Sequence, residues 1–157
     1  MDDPKPASAS QSVLVHWMSV GDTNNAGNVH GGVVLKLADE VAGIAAMRHC
    51  GRRVVTAGLD RVTFVVPIAL GELVTLKATV NAVWRTSMEV GVRVTAERPG
   101  ATEPRHTNTA YFTMVALDDE GRPTDVPPLL TESADEQRRE REAQTRRRNR
   151  LAEREAF

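Results

Sequence analysis

Apolar and polar positions follow two periods along this chain. From Gly31 to Cys50, Val34, Leu37, Ala38, Val41, Ile44 and Ala45 recur at intervals of three and four, the spacing that lines one face of a helix. From Glu72 to Trp84 the interval drops to two. Val74, Leu76, Ala78, Val80, Ala82 and Trp84 share one side, and Thr75, Lys77, Thr79 and Asn81 the other. Met88, Val90, Val92, Val94 and Ala96 keep that period, and His106–Leu117, rich in Thr and aromatic residues, predicts a further strand. Val13–Val20 is an apolar run of strand length, and Val54–Val66 is another, with Pro67 at its end. The order is therefore strand, long helix, then four strands. Short connections make the last three antiparallel, which gives an α+β fold class with one helix laid on an antiparallel sheet. Ala38, Ala42, Gly43, Ala45 and Ala46 give that helix a surface that a curved sheet can approach closely.

The two ends break the pattern. Residues 1–11, rich in Pro, Ala and Ser, predict a disordered segment. Residues 12–130 form the folded body, which the Pro127-Pro128 pair closes. Residues 131–157 predict a charged tail, helical or disordered. From Glu132 onward fifteen side chains are Asp, Glu or Arg and only six are apolar, so no face of its own can be buried. Arg146-Arg147-Arg148 invites comparison with a nucleic-acid arm. Eight Arg against seven acids leave the tail almost neutral, however, and the whole chain nets −1, so no nucleic-acid partner is expected. One cysteine, Cys50, excludes an intramolecular disulfide framework and fits a reducing compartment. No apolar run approaches the roughly 18–20 residues of a membrane span, and Asp2 and Asp3 stand where a signal peptide carries bases. The expectation is a soluble cytoplasmic protein without membrane insertion.

The densest polar stretch, Asp22-Thr23-Asn24-Asn25-Ala26-Gly27-Asn28-Val29-His30-Gly31-Gly32, runs directly into the helix. Asn28 is the expected N-cap. Gly31 and Gly32 then fall in the first turn, where backbone N–H groups lack helical partners and the dipole is positive. Spacing leaves two readings: a glycine-rich cap with nothing bound, or a place that stabilises a developing oxyanion. Asp39 falls at the border of the apolar stripe, beside Leu35 and Ala46. It is either an ordinary surface acid or a partly desolvated carboxylate suited to general-base work. Asp60 could be a second acid or an ion-pair partner, with Arg61 beside it. His16, His49, His106 and Cys50 show no metal-ligand spacing, so no metal is expected. Neither a Gly-x-Ser-x-Gly elbow nor a phosphate-binding Gly-Lys-Ser/Thr loop is present.

Taken together, Asn24-Asn25-Ala26-Gly27-Asn28-Val29-His30-Gly31-Gly32 and Lys36-Leu37-Ala38-Asp39-Glu40-Val41-Ala42-Gly43-Ile44 resemble the hotdog-fold acyl-CoA thioesterases, in particular the cytosolic long-chain (brain-type) group and its bacterial relatives. The resemblance continues through Arg48-His49-Cys50, Val54-Val55-Thr56-Ala57, Ser87-Met88-Glu89-Val90 and Tyr111-Phe112-Thr113. It implies a single hotdog domain, a sheet wrapped around the central helix, dimerising into one continuous sheet, with a trimer of dimers as the larger assembly. It implies hydrolysis of the thioester of fatty acyl-CoA, with coenzyme A a product and no cofactor. Asn24 would orient water or carbonyl, and Asp39 of the other protomer would activate water or attack directly. The Gly32 N–H, aided by Gly31, would hold the oxyanion, and His30 would place the thioester or pack in the loop. Arg85-Thr86-Ser87 and Arg61 become candidates for contacting CoA. A non-catalytic acyl-CoA sensor of the same fold is the alternative, though a pure sensor needs neither Asn24 nor Asp39.

Overall fold

The computed structural model describes residues 2–156. Its elements are β1 (Lys5–Pro6), a 3₁₀ turn at Ala7–Ser10, β2 (Ser12–Trp17), a 3₁₀ turn at Val20–Asp22, α1 (Gly31–Cys50), β3 (Arg53–Leu59), β4 (Leu73–Val83), β5 (Ser87–Glu97), β6 (Arg105–Leu117), β7 (Leu129–Leu130) and α2 (Ala134–Glu155). Five strands form one sheet in the order β2-β4-β5-β6-β3. Every neighbouring pair in it is antiparallel. This is the hotdog arrangement, α1 enclosed by a curled sheet. Val34, Ala38, Val41, Ala42, Ala45 and Ala46 of α1 are buried against Leu76, Val90, Val92, Phe112 and Met114 of the inner sheet face. The alanine stripe permits that close approach. Register shifts at Val80/Ala82, Thr56/Gly58 and Val94/Thr95 add the bulges that curl the sheet. Gly51 ends α1 in the left-handed conformation, φ 67°, its N–H donating to the Met47 carbonyl.

Three expectations about the framework need correction. The strand expected over Val54–Val66 stops at Leu59, where pairing with β6 ends opposite Phe112. The following residues leave the sheet, and Phe64 instead covers the start of α1, its ring 3.1 Å from where a Cβ on Gly31 would sit.

Residues 5–10 of the head, expected to be disordered, are packed. Ala7 and Ser10 are buried. β2 pairs with β4 only as far as Ser12↔Ala78, so the next edge N–H of β4, at Val80, needs an acceptor. The Ser10 hydroxyl oxygen supplies it at 2.9 Å. Arg48 on α1 holds the same segment by donating to the Gln11 carbonyl at 2.7 Å.

The tail is a docked helix, not a solvated one. Ser133 and Glu136 form a capping box at its start, and α2 lies on the outer sheet face. With Ala143 its only buried residue, it packs through guanidinium planes in place of aliphatic side chains. Arg146 lies 3.6 Å from the Tyr111 ring centroid and Arg147 4.4 Å from that of Trp84. Beneath them Glu89, 0% exposed, accepts from Arg146, Arg150 and Asn81. Gly91 leaves room for this network, since a Cβ there would meet Asn81 Nδ2 at 2.6 Å.

Candidate functional site

The polar loop ahead of α1 is built by its own side chains. The Asp22 carboxylate accepts from the Ser19 N–H at 2.8 Å and the Ser19 hydroxyl at 3.1 Å, and bonds His16 Nε2 at 3.0 Å. The Ser19 N–H, followed by His16, holds the Asp22 carboxyl below the usual carboxylate range. The Asp22 carbonyl takes the His30 N–H at 2.9 Å, closing the loop onto the helix start. Inside it, Asn24 Oδ1 accepts from the N–H groups of Ala26 (2.9 Å) and Asn28 (3.2 Å). With Oδ1 so engaged, the exposed Asn24 amide presents its NH₂ donor outward. Gly27, φ 81°, makes the turn possible.

The N-cap is His30, with no side-chain capping bond, and not Asn28. The Asn28 side chain is bypassed because its backbone is already paired, its carbonyl with the Asn24 N–H and its N–H with Asn24 Oδ1. Gly31 sits under Phe64, whereas open space surrounds the position a Cβ on Gly32 would take. Gly32, among the uncapped N–H groups of the first turn, is thus the more accessible to a ligand oxygen.

Asp39 is half-buried on α1. Its Oδ1 accepts the Thr56 hydroxyl from β3 at 2.5 Å, leaving Oδ2 open. The sequence reading gave Thr56 no role, because Thr is an ordinary strand residue. Only the register of β3 against α1 brings it to Asp39.

Among the described residues no hydrogen bond joins Asn24 to Asp39: Asn24 Oδ1 is engaged inside its own loop and Asp39 by Thr56. Asn24 lies in the loop before α1, and Asp39 lies about 10 Å further along the axis than Gly32. Ile44 and Met47 of α1, Val55 and Leu59 of β3, and Phe64 and Val65 after β3 are exposed. β3 is a free sheet edge.

On the other sheet face, a groove of about 860 Å³ runs between α2 and the β3–β6 side. It gathers Arg61, Thr86 and Ser87 with Arg147 and Arg154 of α2. Arg85 is not among its walls. That side chain turns to Asp125 at 3.7 Å on the surface, while its carbonyl takes the Val126 N–H. Asp60 pairs with Arg150 of α2 at 3.0 Å, not with its neighbour Arg61.

Two further buried groups were given no role by the sequence reading. Glu72, 1% exposed, is paired with Arg105 and accepts the Ala69 N–H at 2.7 Å. Arg105 chiefly holds its carboxyl low. His49, 0% exposed, bonds the Pro127 carbonyl at 2.8 Å, and burial pushes its pKa down. Among the described residues no cluster of His, Cys, Asp and Glu is placed to hold a metal, and no helix is long and apolar enough to cross a membrane.

Comparison with known proteins places this geometry among relatives. A family model described as Thioesterase superfamily matches residues 26–103. The chain is 39% identical over 146 residues to the cytosolic acyl coenzyme A thioester hydrolase of Rattus norvegicus, covering 92% of this chain but only 38% of the relative. An acyl-CoA hydrolase of Staphylococcus aureus, solved with butyryl coenzyme A, coenzyme A and coenzyme A disulfide, superposes with a TM-score of 0.90 at 35% identity, over 96% of this chain and 92% of that one. The same hydrolase has been solved with one Asn, one Asp or one Thr replaced by Ala. An apo hexameric acyl-CoA thioesterase superposes with a TM-score of 0.92 at 34% identity, covering 97% of each chain.

Proposed function

This chain belongs to the thioesterase superfamily, and on that premise we propose that it hydrolyses the thioester of fatty acyl-CoA, releasing the free acid and coenzyme A. The observation that carries the reading is Asp39, oriented by the Thr56 hydroxyl at 2.5 Å on the open side of α1. One carboxylate oxygen is fixed, and the other is left for a water. That water attacks the thioester carbonyl while Asp39 takes its proton. The carbonyl oxygen gains charge and is held by the Gly32 N–H and the positive end of α1 of the protomer that supplies Asn24, not the one that supplies Asp39, with Gly31 beside it. The intermediate collapses with cleavage of the C–S bond, and the leaving thiolate takes up a proton. Asn24, its Oδ1 engaged by the loop, acts as a donor, to the carbonyl or to the water. His30, exposed at the helix start, borders the same space. The residues replaced in the Staphylococcus aureus variants are spaced along that chain as Asn24, Asp39 and Thr56 are here, which supports their assignment.

The separation of Asn24 from Asp39 along α1 supports a site shared between two protomers. Pairing of β3 edges would bury the exposed apolar residues of α1 and β3 and set the antiparallel α1 helices side by side. Asn24 of one protomer would then meet Asp39 of the other, and a homodimer would carry two equivalent sites. The hexameric relative supports a trimer of such dimers. The name of the rat relative supports a cytoplasmic location.

The test is release of free thiol from a panel of acyl-CoA esters, followed with the wild type and Asp39→Ala. Steady turnover that falls by orders of magnitude in the variant is expected. Binding of acyl-CoA without turnover would favour the sensor alternative. Turnover undiminished in Asp39→Ala would remove Asp39 from the chemistry.

A further inference from the structure

The loop that carries Asn24 leans on the connection between β3 and β4. The Val29 N–H donates to the Ile68 carbonyl at 2.7 Å, and the Leu70 N–H donates to the Gly27 carbonyl at 3.1 Å. These two bonds flank the bridge Asn28↔Ala69. Asn28 in turn sets Asn24. Its carbonyl takes the Asn24 N–H at 2.8 Å, and its own N–H reaches Asn24 Oδ1 at 3.2 Å. A buried carboxylate fixes the connection itself. Glu72 Oε2 accepts the Ala69 N–H at 2.7 Å. Arg105 of β6 binds both oxygens of that carboxylate, reaching Oε2 through Nη2 at 2.7 Å. The same Nη2 donates to the Pro67 carbonyl at 3.0 Å. One guanidinium fork thus holds three oxygens of a single turn, and the turn holds the loop. A buried ion pair adds little net stability over apolar packing of the same size. What the planar fork does supply is direction and distance.

We infer that Glu72 and Arg105 are positioning residues for Asn24, acting through Ala69 and Asn28. β6 then reaches the site without touching the substrate: its guanidinium sets the turn, the turn sets Asn28, and Asn28 sets the amide. The inference rests on the hydrolase reading for the work that Asn24 performs.

Two variants separate positioning from mere stability. Glu72→Gln removes the charge at nearly unchanged shape and leaves a guanidinium that is partly exposed. Arg105→Lys puts a point charge in place of the fork. Amide hydrogen exchange, which needs no turnover, should quicken at Asn28, Val29 and Leu70 by at least about tenfold, the worth of one charge-assisted contact. The amides of Leu76, Val90 and Val92 on the central strands should keep their wild-type protection. In acyl-CoA hydrolysis kcat should fall about 10- to 100-fold with KM within about twofold, since a misplaced group costs the transition state and not ground-state binding. In an Asn24→Ala background the same substitutions should lower kcat by no more than about threefold, because the group they position is gone. Arg98→Gln, at a side chain 76% exposed and 3.9 Å from Glu72, is the control and should change neither readout. Equal losses of kcat with and without Asn24, or exchange that quickens uniformly across the sheet, overturns the inference by showing general destabilisation. If the wild type cleaves acyl-CoA and neither variant alters kcat or loop exchange, the positioning role fails and the hydrolase reading stands. If loop exchange quickens as expected while the wild type cleaves no thioester, the positioning of Asn24 stands and the hydrolase reading fails.

Discussion

Replacing Glu89 by Gln should loosen α2 from the sheet. Glu89 is fully buried, and Arg146 reaches it through Nε and Nη2, the shortest contact 2.6 Å. Removing one partner of a buried pair strands the other charge and costs about 3–5 kcal/mol. The Arg146 side chain is 21% exposed and keeps its stack on Tyr111, while Arg150 keeps Asp60, so the lower end, about 3 kcal/mol, applies. For a chain of this size each kcal/mol shifts Tm by about 2–4 °C, so a fall of about 6–12 °C follows. Arg146→Met should cost a similar amount. The double variant should cost much less than the sum, since neither charge is then left alone. Thermal unfolding of the four proteins measures the cycle, and limited trypsin digestion, with eight Arg in α2 as targets, reports the helix locally. Additive losses within about 0.5 kcal/mol, or α2 equally resistant to trypsin in all four proteins, would refute the claim that this pair docks the helix.

Other expectations follow from single contacts. Thr56→Val removes the hydroxyl that orients Asp39, and loss of a hydrogen bond to a charged group, about 1.5–3 kcal/mol, should lower kcat at least tenfold. Thr56→Ser should restore most of it, and steady-state kinetics on the assembled protein decides. Gly31→Ala drives a methyl against the Phe64 ring and should destabilise by about 1–3 kcal/mol, whereas Gly32→Ala meets nothing within 4 Å and should leave Tm nearly unchanged. The depressed carboxyls of Asp22 and Glu72 contribute stability that is full above their unfolded values, about 3.9 and 4.3, and is lost as pH falls through their lower folded values. Asp22→Asn should therefore flatten the acid limb of a Tm-against-pH curve, and an unchanged limb would contradict this.

The elements that carry their own period were legible from the chain. α1 begins and ends at the residues its apolar spacing indicates, and β4 and β5 show the alternation read from Val74 to Val80 and from Val90 to Ala96. The bulge at Val80/Ala82, however, turns Ala82 and Trp84, read on the side of Val74, to the outer face under α2. The misread features were those decided by a distant partner. β3 ends early because β6 stops pairing with it, which the apolar run Val62–Val66 does not reveal. Ser10 is buried because an edge N–H seventy residues away needs it. α2 has almost no apolar face, and its docking depends on Glu89 and Tyr111, each unremarkable in its own strand, and on Trp84 in the turn between β4 and β5. The same division holds at the site. Asn24, Asp39 and Gly32 stand beside a helix start that the sequence marks, whereas Thr56 acquires its part only from the register of an edge strand.

The composite nature of the site is tested most directly by mixing two inactive variants. Asn24→Ala and Asp39→Ala protomers, carrying different tags, are co-expressed, and the mixed species is purified through both tags. If Asn24 of one protomer works with Asp39 of the other, each mixed dimer holds one intact site and one doubly defective site. Acyl-CoA hydrolysis should then return to about half the wild-type rate per mixed dimer, given two equivalent sites. A mixed species no more active than its inactive parents would contradict the shared site and place both residues' work within a single protomer.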